Sequence, residues 1–168
     1  PDVAHPGFMI EIAKEVFADA GHDVDYQLLN WSRALADVRA GIADGAVGAY
    51  KTDATDLVYP DHEMAVSKNC FFVSANQPWV YGGLPSLEGI SLGVIKDYSY
   101  GPSVDKYIAG HKTDFHRIQV TSGDDALGIN LRKLTHGRID ALVEDQYVFD
   151  HFLLTHVPTK PINRAGCD

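Results

Sequence analysis

Alternation constrains this chain more than any other feature. Segments with helical periodicity take turns with short strand-like runs, and glycine closes several of the helices. From Phe8 the apolar residues Met9, Ile12, Ala13, Val16, Phe17 and Ala20 recur at three- and four-residue spacing, and Gly21 follows as a C-cap. Residues 24–28 alternate like a strand, and residues 32–40 place Ala34, Leu35 and Val38 on one helical face before Gly41. The small-residue run 44–50 reads as a buried strand against which another backbone packs closely. Residues 51–66 are polar, and Pro60 bars a central strand there.

Residues 69–73, Asn-Cys-Phe-Phe-Val, predict a strand, and residues 74–86 are punctuated by Pro78, Gly82, Gly83 and Pro85. A second series follows. Residues 90–95 form a strand, 97–101 a turn, and Pro102 stands where a proline opens a helix. Residues 115–120 form a strand, 122–136 a helix carrying Leu127, Leu131 and Leu134 up to Gly137, 139–143 a strand and 146–156 a helix. Strands alternating with helices at this spacing predict parallel βαβ units with helices on the sheet faces. Gly41-Ile42-Ala43-Asp44 in the first half is echoed by Gly137-Arg138-Ile139-Asp140 in the second. With the Pro/Gly-rich centre, the echo favours two similar lobes: a first, incomplete lobe over 1–75, a second over 76–168, and a hinge near 74–86.

Charge and composition exclude several classes of function. Lys and Arg total 14 against 23 Asp and Glu, a formal net charge of −9, which argues against a nucleic-acid partner. Apolar residues make up 45% of the chain, enough for a packed core, yet no apolar run approaches the ~20 residues of a membrane span. The chain opens on Pro1-Asp2-Val3, loop-like in character and without a signal-peptide pattern, as a mature or trimmed chain would. Cys70 and Cys167 are not in a C-x-x-C pair, so they are either buried thiols or one disulfide of an oxidising compartment. His111 and His116, like His151 and His156, are five apart and do not share a helix face, so no metal site is expected. Neither a G-x-S-x-G elbow nor a P-loop is present, and no cofactor or catalytic residue is predicted.

Ordered along nearly the whole chain are Pro6-Gly7-Phe8 opening a helix that reads E-I-A-K-E-V-F, Trp31 before a short helix, Gly41-x-x-Asp44, the loop after Tyr50, and the strand at 70–74. The second half adds Ser86-Leu87-Glu88-Gly89-Ile90-Ser91-Leu92-Gly93-Val94, the turn at 97–101, and Gly137-Arg138-Ile139-Asp140-Ala141-Leu142-Val143-Glu144-Asp145. In that order and spacing the chain resembles the bacterial extracellular (periplasmic) solute-binding proteins of polar amino-acid ABC importers, which have the type II periplasmic-binding-protein fold. The resemblance implies an α/β, two-lobed architecture that closes on a solute in the cleft by hinge bending. It also implies export to the periplasm, a monomeric binder rather than an enzyme, a small polar solute, and a membrane permease as partner. The leading strand of the first lobe and a return to that lobe are not evident in the sequence. Cys70 at the crossover and Cys167 near the expected return suggest a disulfide across the hinge region, for which an unstrained bridge needs Cα atoms roughly 4.4–6.8 Å apart.

In parallel α/β sheets ligands settle beyond the carboxyl ends of strands, which points to three loops. Trp31 offers an indole face to a solute, and Arg33 a planar fork to an anion. Tyr50, Lys51, Thr52 and Thr55 form the second loop, and Thr55 stands where the family's amino-acid binders carry a carboxylate-clamping arginine. Lys51 nearby is a mobile point charge rather than a fork, so the candidates left are Trp31 and Tyr50 with Asp145 as a counter-ion, a set that suits a cationic or amphipathic solute better than a compact zwitterion. In the second lobe, Tyr98 and Ser99 precede a helix N-terminus, and Asp145 matches the position that receives a solute ammonium while also suiting a helix N-cap. The same fold serves two alternatives, the extracellular sensing domain of a signalling receptor and a dehydratase-like enzyme.

Overall fold

The computed structural model describes residues 6–168. The opening segment Pro1-Asp2-Val3, read above as loop-like, lies outside them. The chain falls into two compact units that meet in sequence at Val66 and Ser67.

The first unit contains helices α1 (Phe8–Asp19) and α2 (Trp31–Arg39). Gly7 opens α1 at φ 116°, and its carbonyl accepts from Ile10 and Glu11 N–H. Ile10 and Ala13 are buried, whereas Ile12, Val16 and Phe17 of the expected apolar face are exposed. Gly21 ends the helix as expected at φ 80°, with His22 N–H bonded back to the Phe17 carbonyl. Gly41 closes α2 the same way, Ile42 N–H reaching the Asp37 carbonyl. The segments 24–28 and 44–50, expected as strands, are not strands: among the described residues none pairs with them. Alternation selects a face, but a strand exists only where a neighbour accepts its backbone bonds.

The second unit is one five-stranded sheet with helices on both faces. Its elements are β1 (Asn69–Ser74), β2 (Leu92–Ile95), α3 (Pro102–His111), β3 (Ile118–Thr121), α4 (Ala126–Thr135), β4 (Ala141–Asp145), α5 (Gln146–Thr155) and β5 (Ile162–Cys167). The strand order is β3-β2-β4-β1-β5. β2 runs parallel to β3 and β4, whereas β1 is antiparallel to β4 and β5, so the sheet is mixed rather than all-parallel. The three parallel strands are those joined through α3 and α4, as the crossover rule requires. β5 was not foreseen.

Residues alternate between two cores. Phe71, Val73, Val94, Ala141 and Val143 face α3, and Cys70, Phe72 and Leu142 face α4 and α5 with Leu131, Leu134 and Phe149. Phe72 stacks on Phe149 at 3.9 Å between ring centroids, and Phe71 on Tyr81 at 4.0 Å. The Pro/Gly-rich stretch expected as the hinge is a folded loop of this unit. Trp79 Nε1 donates to the Ser86 carbonyl at 2.8 Å, and Tyr81 N–H to the Ala165 carbonyl at 2.8 Å. Its glycines and prolines shape turns, and the compact units part ahead of β1.

The echoed motif is real at the level of geometry. Gly137 ends α4 at φ 68°, and Arg138 N–H returns to the Lys133 carbonyl, the same six-to-one bond that closes α2. Only the second copy leads into a strand, β4. There Asp140 Oδ2 accepts from the backbone N–H and the hydroxyl of Ser91, tying the start of β4 to that of β2.

Candidate functional site

In the first unit, Asn30 caps α2 by accepting from Arg33 N–H at 3.0 Å, which leaves Trp31 as the first helical residue, half-buried. Arg33 does not stand free. Its Nε donates to Asp37 at 2.7 Å one turn along, and that bond raises the guanidinium pKa further. The Tyr50 loop closes on itself: Asp53 N–H donates to the Tyr50 carbonyl, and Tyr50 N–H to the Asp53 carboxylate, each at 3.0 Å. Lys51 and Thr52 occupy the exposed tip, Ala54 is buried behind them, and Thr55 is exposed.

One relevant residue of this unit escaped the sequence reading. Arg39, from the last turn of α2, forks onto Asp56 at 2.8 and 2.9 Å, immediately after Thr55. The hydrogen bond holds the Asp56 carboxyl down at about 2. A planar guanidinium is therefore present beside the position where the resemblance called for one, but an internal carboxylate occupies it. Its signal, an arginine on α2 and an aspartate 17 residues on, has no local pattern.

In the second unit, the loop from Lys96 to Gly101 follows β2. Asp97 turns it with φ 61°, Tyr98 is 42% exposed, and the buried Tyr100 accepts the Ile95 N–H on its hydroxyl at 2.8 Å. The N-terminus of α3 was expected to favour an anion, and the chain supplies one. Asp105 in the first turn accepts from the Ser99 hydroxyl and from Tyr100 N–H. The Ser99 hydroxyl is thereby committed to Asp105.

Asp145, at the end of β4, uses both oxygens. Oδ1 caps α5 by accepting from Tyr147 and Val148 N–H at 2.8 and 3.2 Å, and Oδ2 accepts from the Ser67 hydroxyl and Lys68 N–H at 2.7 and 3.0 Å. All four donors are uncharged groups, so the carboxylate is fixed in place while its negative charge stays uncompensated by these partners.

Glu144 is a different matter from its neighbour. Alternation along β4 turns it inward on the side of Leu142, where it is only 3% exposed. Oε1 accepts the Asp145 N–H at 2.9 Å, and Oε2 has no partner. Burial drives its pKa up to about 8, so that the carboxyl holds its proton at neutral pH. Burial, followed by the charge of Glu144, also raises the phenols of Tyr98 and Tyr100. Glu144 and Asp145 are therefore not an acidic pair, a distinction the period of two along a strand already encodes.

Cys70 and Cys167 form a disulfide. They are directly opposed on β1 and β5, and Asp168 N–H donates to the Asn69 carbonyl beside them. Their Cα atoms stand 3.9 Å apart, below the expected range, as befits a pair without ladder hydrogen bonds between its own two residues. Among the described residues no cluster of three His, Cys, Asp or Glu is placed to hold a metal, and no helix is long and apolar enough to cross a membrane.

These features define a mixed α/β sheet unit with flanking helices, with a polar loop after β2 and Asp145 at the C-terminal end of β4. The fold is similar to the type II periplasmic-binding-protein fold of several solved structures. An amino-acid ABC transporter substrate-binding protein from Streptococcus pneumoniae, solved with L-arginine, matches 93% of the chain with a TM-score of 0.67 at 18% identity. The arginine-binding protein of T. maritima in its holo form matches 95% at a TM-score of 0.68 and 16% identity. The periplasmic VFT2 domain of BvgS from Bordetella pertussis matches 96% at 0.68 and 14%. The chain spans 62% of the length of the S. pneumoniae protein and 66% of each of the other two. No protein-family model matches the sequence, and no curated protein matches it.

Proposed function

We propose that this chain binds a small polar solute, amino-acid-like, an amine or a related cation, as the exported, monomeric binding component of an ABC importer in the periplasm. The observation that carries the reading is the fold shared over some 95% of the chain with the T. maritima arginine-binding protein. The residues add to it. The first unit would offer the indole of Trp31 with Tyr50, Lys51, Thr52 and Thr55, while Arg33 is drawn back to Asp37. The second would offer Tyr98, the Ser99 oxygen and Asp145. Asp145 is the best-placed counter-ion for an ammonium or guanidinium, because uncharged donors hold it still without neutralising it.

The test is a thermal-shift screen of amino acids, amines, carboxylates and short peptides, since a solute that binds only the folded state raises its melting temperature. The expected hits are cationic. With such a hit, Trp31→Ala and Asp145→Asn should each remove most of the affinity, the lost charge partner costing about 2–5 kcal/mol, while Thr55→Val changes little. Tight glycine or glutamine binding with no response to cations would overturn the choice of solute class.

A second reading is a solute-sensing module of a signalling receptor, favoured by the likeness to the BvgS domain. The two part on one observation. A binding component is captured in its solute-bound form by a membrane permease, whereas a sensing module is continuous with a transmembrane signalling polypeptide.

A further inference from the structure

The register of the sheet sets Glu144 beside the disulfide. Cys70 is the direct antiparallel partner of Glu144 on β4 and of Cys167 on β5. Opposed residues share a sheet face, with Cβ atoms about 4.5–5.5 Å apart. Three further observations make this more than proximity. Cys70 is fully buried, whereas Cys167 lies on the edge strand β5 and is partly exposed. Glu144 is the one Asp, Glu, Lys, Arg or His side chain buried in the second unit, among the described residues. Its Oε2 has no hydrogen-bond partner and is shut off from solvent.

A buried sulfur is a poor leaving group as a thiolate, because nothing around it solvates the charge. Cys70 shares its face with Phe72, Leu131, Leu134, Leu142 and Phe149, all apolar. The ionisable groups acting on Glu144 are Asp145 on its own strand and, from the loop after β2, Tyr98 and Tyr100. None of them is a cation that would draw off the carboxyl proton.

We propose that Cys70–Cys167 is a redox-active disulfide, opened from the Cys167 side by a dithiol reductant, with the buried carboxyl of Glu144 as proton donor to Cys70. A thiolate of the reductant attacks Cys167 Sγ, and the Sγ–Sγ bond breaks with its electron pair passing to Cys70 Sγ. The Glu144 proton moves to that sulfur, leaving a Cys70 thiol and a Glu144 carboxylate that regains a proton from solvent. The second thiol of the reductant then attacks its own sulfur in the mixed disulfide and releases Cys167. The reductant gives up two electrons and becomes a disulfide, and the protein gains two thiols. Oxidation retraces the path, with Glu144 as the base that deprotonates Cys70. This inference is independent of the solute reading. Its consequence is local to the second unit, whose first and last strands, β1 and β5, are tied side by side through this bond.

The experiment follows reduction of the folded chain by dithiothreitol, reading free thiols over time, for wild type and Glu144→Gln. Direct attack is first order in dithiothreitol, whereas reduction that waits for unfolding is independent of its concentration. The expected result is a first-order dependence in wild type and a rate about 10²-fold lower in the Gln variant near neutral pH. Divided by thiolate concentration, the wild-type rate should also fall as pH rises through about 8, and the variant's should not. In urea, where the site is dismantled, the two should react alike. A wild-type rate independent of reductant concentration would overturn the proposal and leave a structural disulfide. Equal native rates and equal pH profiles for the two proteins would remove Glu144 from the proton path.

Discussion

Glu144 should make this protein less stable as pH rises, over a range where most carboxylates have already finished titrating. In the unfolded chain it titrates near 4.5, and in the folded one at about 8. Below the lower value both states hold the proton, and the group contributes no difference. Between the two the folded state holds a proton that the unfolded state has lost, so stability declines with pH, and above about 8 the whole cost is present. A displacement of that size corresponds to about 5 kcal/mol, comparable with the total stability of a small domain. Glu144→Gln removes the titration but not the burial. Its amide leaves a donor unpaired where Oε2 was, as the protonated carboxyl of the wild type already does. The variant should thus be close to the wild type in stability at about pH 5 and the stronger protein at about pH 9. Urea unfolding followed by circular dichroism at several pH values measures both curves. Parallel curves, or a wild type as stable at about pH 9 as at pH 5, would refute the argument that burial keeps this carboxyl protonated.

Cys167→Ser should lower unfolding free energy by about 4–5 kcal/mol on the chain-entropy account, since the bridge closes a loop spanning a sequence separation of 97, and the urea midpoint reads it. Asp145→Ala should cost about 2–3 kcal/mol in the same assay, through the lost α5 cap and the stranded donors at Ser67 and Lys68, and Asp145→Asn should restore the cap's share. Gly166→Ala should lower the melting temperature, because φ is 139° and the new Cβ would stand 2.9 Å from the Tyr81 carbonyl oxygen. Gly110→Ala, in the last turn of α3 with open space around it, should instead gain up to about 0.5–1 kcal/mol.

What the sequence disclosed follows from how local each signal is. The helices α1 to α5 were legible because periodicity, Pro102 and the glycines at 21, 41 and 137 are signals within one element. β1, β2 and β4 stood out as compact apolar runs. β5 did not, because an edge strand reading Ile-Asn-Arg-Ala-Gly-Cys buries only Ala165 fully and carries no apolar run. Its antiparallel course beside β1 depends on pairing across some 90 residues, which alternation cannot reveal. The candidate site divides along the same line. Asp145 as an N-cap and the helix start at Pro102 were readable from neighbours in sequence. The Arg39–Asp56 fork, the Ser99–Asp105 bond and the position of Cys70 between Glu144 and Cys167 depend on contacts beyond any one element's pattern.

Glu144 shows how much a local rule can say once one global fact is added. Period two along β4 assigns it to the face of Leu142, opposite Val143 and Asp145, whatever the rest of the fold. What the sequence could not say is that this face is covered, by α4 and α5, so that the turn inward becomes burial. Had β4 been an edge strand with that face in solvent, the same residue would be an ordinary surface carboxylate. The central position of β4, between β2 and β1, converts a commonplace alternation into the one buried acid of the unit's described residues, and it does so next to a bond whose cleavage needs a proton.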